Sequence, residues 1–117
     1  MADCDWLIDH ADSPYHLGEL EEATHQSSLA SNRCSDQVTL WLQVRDGRIT
    51  QAWQQSSGCL VSTAGASFLC EWCESKSIDE IIQTAPEDYL QQLGTLTPMR
   101  QQCALLAFHC LHQALSN

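Results

Sequence analysis

Cys59 is the residue whose surroundings say most about chemistry. Gly58 before it is a permissive backbone position, and a helix is predicted to begin three residues later, with Ser62 or Thr63 as its cap. A thiol at such a junction meets unpaired amides and the positive end of a helix dipole, which favour the thiolate, the form that attacks sulfur and binds metals. Ala64, Gly65 and Ala66 keep the first turn narrow, so that other backbone can approach closely. The plainer role is a small side chain filling the strand–helix corner. Cys34 stands between Arg33 and Ser35, just ahead of a strand, where a cysteine is poorly explained as core filler. Asp36, two residues on, offers an oxygen from nearly the same position, or forms a turn at the strand start. Cys103 shares an i, i+3, i+7 helix face with Leu106 and Cys110, a pattern that also describes a core stripe. If Asp36 is within reach, a Cys/Asp/Cys/Cys set could hold a metal tetrahedrally.

The remaining candidates are weaker. Cys70-Glu71-Trp72-Cys73 has a redox spacing, but such motifs usually sit in a turn or at a helix start. Here the pair falls late in a helix that must also bury Phe68, Leu69 or Trp72, so it reads as structural. Cys110 reads as core, and Cys4 receives no role. His10 and His109 read as helix-face residues, and His112 lies near a helix end that suits a cation. There is no H-x-x-x-H, no Ser–His–Asp grouping and no glycine-rich phosphate loop, which leaves a hydrolase poorly supported.

The elements that must position these residues follow from caps and turns. Residues 4–10 read as a short helix with Trp6, Leu7 and His10 facing inward, ended before Pro14. Residues 37–44 and 48–55 read as two strands joined by the hairpin turn Asp46-Gly47. A third strand is sought at 20–24 or 26–29, within a polar segment, about residues 11–32, that composition marks as a mobile loop. Helices are then predicted to about Glu74, from Ser77 capped reciprocally by Glu80, from Pro86 to near Gly94, and from Thr97-Pro98 to about Leu115. Strands in one block and helices in the next give an α+β domain, single over 1–117.

Bulk composition narrows the partners. Fifteen acids against five bases give a formal charge of -10, which repels a phosphate backbone and argues against nucleic acid. A basic protein partner or a metal cation fits better. No run approaches the length of a membrane span, and the first residues show no basic segment followed by an apolar one. With seven cysteines, an odd number, the expectation is a reducing, cytoplasmic setting with free, metal-bound or reactive thiols.

The ordered set of three separated cysteines resembles the IscU/SufU/NifU-N scaffold family. The family's Asp-His and Pro-Arg-Asn-x-Gly-x-Leu signature is met in spacing by Asp9-His10 and Pro14-Tyr15-His16-Leu17-Gly18-Glu19-Leu20. Its Cys-Gly-Asp is similar to Cys34-Ser35-Asp36, and its Gly-Cys with a Ser/Ala-rich helix to Gly58-Cys59 and the residues through Ser67. Its Leu-Pro-Pro-Val-Lys, read by an Hsp70-type chaperone in IscU-type members, is echoed by Leu96-Thr97-Pro98-Met99-Arg100. IscU-type members carry a histidine directly before the last cysteine, where this chain has Gln102. SufU-like members lack that histidine but carry an insertion before the last helix that is absent here. Tyr15 and His16 replace an Arg and an Asn in the expected partner-contact segment, and Ser35 replaces a Gly.

The resemblance implies a three-stranded antiparallel sheet with helices packed on one side, and Cys34, Asp36, Cys59 and Cys103 gathered at one exposed end. It implies a non-enzymatic scaffold that accepts persulfide sulfur from a cysteine desulfurase, builds a transient [2Fe–2S] cluster on those residues and passes it to apo-proteins. Cys59, Cys103 and Cys34 are the sulfur-acceptor candidates, and zinc takes the same ligands in some members. Two alternatives remain open at this point: a SufE-like or zinc-dependent SufU-like sulfur-transfer protein without a stable cluster, and a structural zinc-binding adaptor. SufE-like acceptors share the fold and use one cysteine near Cys34, without needing Cys59 and Cys103.

Overall fold

A computed structural model describes residues 5–31 and 35–116; Cys34, with Asn32 and Arg33, lies outside the described residues. The chain runs α1 (Asp5–Asp12), β1 (His25–Ala30), β2 (Gln37–Arg45), β3 (Arg48–Ser57), α2 (Leu60–Cys73), α3 (Ile78–Gln83), α4 (Pro86–Gln91) and α5 (Pro98–Leu115). The strands form one antiparallel sheet in the order β1-β2-β3. α2 and α5 pack on the same face of it, as the resemblance implied, and α1 packs on α2.

Alternation on β2 explains the layering. Val38, Leu40 and Leu42 point into the helices and are fully buried, joined from β3 by Ile49 and Ala52. From the helix side come Leu69, Phe108 and Leu111, while Tyr89 brings α4 into the same core. The Asp46-Gly47 turn takes positive φ at both residues, 53° and 75°, which matches the twist of the strands it joins. Ser77 and Glu80 form the reciprocal cap expected from their spacing, and Thr97 caps α5 ahead of Pro98.

Of the two stretches offered for a third strand, β1 overlaps the second. Its inward residues are modest: Ser27 is buried and Leu29 half-buried, so little apolar alternation marked it. α2 starts earlier than its expected caps Ser62 and Thr63. Its N-cap is Cys59, in extended conformation, whose sulfur accepts the Ser62 N–H. A polar cap was expected because hydroxyl and carboxylate residues dominate that position, yet a thiol fills it here.

Outside β3, two segments cover what would be an open sheet edge. Gly18 donates to the Gln54 carbonyl at 2.9 Å and Gln54 donates to that of His16 at 3.0 Å. Further along, Ile49 donates to Lys76 at 3.0 Å and Ser75 to Ile49 at 2.8 Å. Unpaired strand edges invite pairing with other chains, and these contacts occupy this one. The first cover is held from below by Glu74, which accepts the Tyr15 hydroxyl, the Ala52 N–H at 2.9 Å and His16 Nδ1 at 2.9 Å. The His16 ring stacks between Tyr15 and Trp53, with centroids 4.0 and 4.4 Å away.

Candidate metal centre

Three elements converge at the end of the sheet away from the hairpin. Asp36 lies just before β2, Cys59 caps α2 as β3 ends, and Cys103 lies in the second turn of α5. One ligand atom from each lies within 4.8 Å of the others. This is the set the sequence reading assembled, less Cys34, which falls outside the described residues. α2 and α5 pack on one another behind the centre, and a Cβ on Gly65 would sit 3.6 Å from the Ala104 Cα, an ordinary contact that does not demand glycine.

Asp36 is 3% exposed and held by α2. Its Oδ1 accepts the Cys59 N–H at 2.7 Å, and its Oδ2 accepts the Ser62 hydroxyl at 2.6 Å. Cys59 Sγ lies 3.4 Å from both Asp36 Oδ2 and Ser62 Oγ. This closeness dictates Gly58. Its φ is +118°, and a Cβ on it would lie 1.9 Å from Asp36 Oδ1 and 2.7 Å from the Asp36 Cα. Only glycine allows the strand to deliver Cys59 against that carboxylate.

The two thiols differ. Cys59 is exposed at the N-terminus of α2, whereas Cys103 is half-buried. Burial pushes the Cys103 thiol up to about 12, and the adjoining Cys59 and Asp36 act in the same direction, against a lowering contribution from Ser62. Cys103 therefore carries a proton near neutrality, which a metal would have to displace. The donor set of two sulfurs and one carboxylate oxygen suits zinc or iron bound through thiolates, rather than a hard cation seeking six oxygens. Gln102 is exposed beside Cys103, at the position where the resemblance places a histidine.

The other described cysteines lie elsewhere. Cys70 and Cys73 are fully buried, and burial raises both thiols well above the ordinary range. Cys110 is also buried, its sulfur 3.4 Å from the Ser27 carbonyl. The C-x-x-C spacing is thus core packing, as read from its late place in the helix. Ser62 is the residue that sequence reasoning missed as part of the centre. Its signal was the three-residue spacing from Cys59, which puts its hydroxyl back over the start of α2 once Cys59 is the cap.

A family model described as NifU-like N terminal domain matches residues 3–117. The chain belongs to that family. Within it, an iron-sulfur cluster assembly scaffold protein, IscU 1, of Archaeoglobus fulgidus is 28% identical over 111 residues, covering 95% of this chain and 72% of that protein. The iron-sulfur cluster assembly scaffold protein IscU of Escherichia coli K12 is 28% identical over 121 residues, covering 100% of this chain and 94% of its own length. A crystal structure of a putative SUF-system scaffold from Fervidobacterium islandicum superposes with a TM-score of 0.78 at 22% identity, covering 95% of this chain and 94% of that one. The N-terminal part of a NifU-like protein from Brucella abortus gives 0.78 at 20% identity, with 96% and 90% covered. These two structures bear on the fold alone.

Proposed function

We propose that this member of the NifU-like N-terminal family is a non-enzymatic scaffold for iron–sulfur cluster assembly. It receives sulfur from a cysteine desulfurase, assembles a [2Fe–2S] cluster on Cys34, Cys59 and Cys103 with Asp36, and passes it to apo-proteins. The observation that carries this reading is the meeting of Asp36, Cys59 and Cys103 within 4.8 Å at the end of the sheet. The cluster is cargo, and the residues need only hold it and let it go.

Sulfur transfer is an exchange: an acceptor thiolate attacks the terminal sulfur of the donor's persulfide, and the donor leaves as a thiolate. Cys59 suits the acceptor role by its exposure at a helix start, and Cys103 is its rival. Reduction of that sulfur to sulfide draws electrons from an external reductant. Leu60 (56% exposed) and Met99 (78% exposed) flank the thiols and would be covered by a docking protein. A chaperone contact at Leu96, Thr97, Pro98, Met99 and Arg100 belongs to the same proposal, with Leu96 buried and the next four exposed.

Exposed Gln102, in place of a histidine, favours a second reading: zinc-assisted sulfur transfer without a stable cluster. One anaerobic experiment separates the two, with ferrous iron, cysteine, a desulfurase and a thiol reductant. A charge-transfer band with equal iron and sulfide per chain, absent in C59S, supports the scaffold. Desulfurase turnover stimulated by the zinc-loaded chain, with one persulfide and no band, supports transfer. Neither response would overturn both.

A further inference from the structure

Ser62 is 1% exposed and contacts all three residues of the described centre. Its hydroxyl donates to Asp36 Oδ2 at 2.6 Å and lies 3.4 Å from Cys59 Sγ and from the Cys103 carbonyl. Its own amide donates to Cys59 Sγ at 3.4 Å. A mere helix-start serine would cap with its side chain, but that position is taken by Cys59, so the hydroxyl is free of capping duty and is spent on the carboxylate.

From this arrangement we infer that Ser62 is a positioning residue for metal binding, acting through Asp36. The inference rests on the metal-centre reading above. Asp36 Oδ1 is fixed by the Cys59 amide, and the oxygen that faces Cys59 Sγ, at 3.4 Å, is Oδ2. The Ser62 hydroxyl holds Oδ2 by its 2.6 Å hydrogen bond, with that oxygen turned toward Cys59 Sγ. Ser62 sits on the first turn of α2, which packs against α5. The oxygen is therefore aimed before any metal arrives. Hydrogen bonds that orient a ligand in this way contribute strongly to affinity even though their donors never touch the ion.

The test uses the full chain and zinc alone, with affinity read by chelator competition at fixed pH, and cobalt as the spectroscopic probe. Removing the hydroxyl in S62A is expected to weaken zinc about 10- to 100-fold. In cobalt-loaded S62A the thiolate charge-transfer intensity should persist while the visible ligand-field bands shift, because the sulfurs stay and the oxygen moves. S62T, which keeps the hydroxyl, should bind as the unaltered chain does. D36N should weaken zinc as well, and S62A placed on D36N should add nothing. Unchanged zinc affinity in S62A would overturn the inference, and so would an equal loss in both the Asp36 and D36N backgrounds. An unaltered chain that binds neither zinc nor cobalt would overturn the metal-centre reading itself, and this one with it.

Discussion

Gly58 and Cys59 are neighbours with opposite kinds of importance, one for the backbone and one for the sulfur. Cys59 both caps α2 and offers a ligand, and serine is a favoured N-cap. C59S should therefore keep the fold, with unfolding free energy within about 0.5 kcal/mol of the unaltered chain by urea titration, as for other exposed positions. Zinc binding and persulfide acceptance at that residue should be lost, measured by chelator competition and by mass spectrometry after desulfurase treatment. Gly58 has no chemistry to lose, yet G58A should be the more damaging change. A side chain at φ +118° is strained by about 1–3 kcal/mol, and its overlap with Asp36 at 1.9 Å adds to that. The expected outcome is a loss above about 3 kcal/mol in urea unfolding. A stable, zinc-binding G58A would contradict the account of the junction. Much of this was legible at the residue scale, since Gly before Cys at a strand end already signalled an unusual backbone. Ser62 was not, because taking it as the cap hid its turn toward Asp36.

At the scale of elements, strong caps and turns were readable. The Ser77–Glu80 pair, Thr97-Pro98 and Asp46-Gly47 each contain a local reason for the structure they adopt. β1 has no such local reason. Its sequence His25-Gln26-Ser27-Ser28-Leu29-Ala30 is held by pairing with β2 and by Gln113 of α5, which donates to the Ser28 carbonyl at 3.0 Å. Tertiary contacts make it a strand, and no window of sequence contains them. The cover over the β3 edge has the same character: it depends on Glu74, at the C-cap of α2. Hydrogen bonds to a charged acceptor are worth about 1.5–3 kcal/mol each, and E74Q weakens three at once while sparing the volume. Stability should fall by about 2 kcal/mol or more on that basis. The amides of Gly18 and Gln54, which join the cover to the edge, should lose hydrogen-exchange protection ahead of those in β2. Uniform loss of protection would show instead that the cover does not open separately.

On the scale of the whole molecule, fifteen acids against five bases leave a net charge of -10, which keeps the surface polar. No helix among the described residues is long and apolar enough to cross a membrane. The buried thiols impose a limit at high pH. Burial raises Cys70 and Cys73 far above their ordinary value of 9.0 and Cys110 to about 11. In the unfolded chain these thiols lose their protons from about pH 9, while the folded chain retains them. Unfolding then releases protons, so stability is intact below pH 9 and falls as pH rises above it. Each retained proton contributes a slope of about 1.4 kcal/mol per pH unit, so the three core thiols give about 4 kcal/mol per unit. Cys103, also raised, adds in the same direction. A domain of ordinary stability would unfold within about two to three units of pH 9. Urea midpoints from pH 7 to 10.5 should be level at first and then drop steeply. C110A should lower that slope by about 1.4 kcal/mol per pH unit and retain the level region. A flat profile to pH 10.5 would mean that these three thiols are not held protonated in the core, and would reopen the Cys70–Cys73 pair as a reactive site.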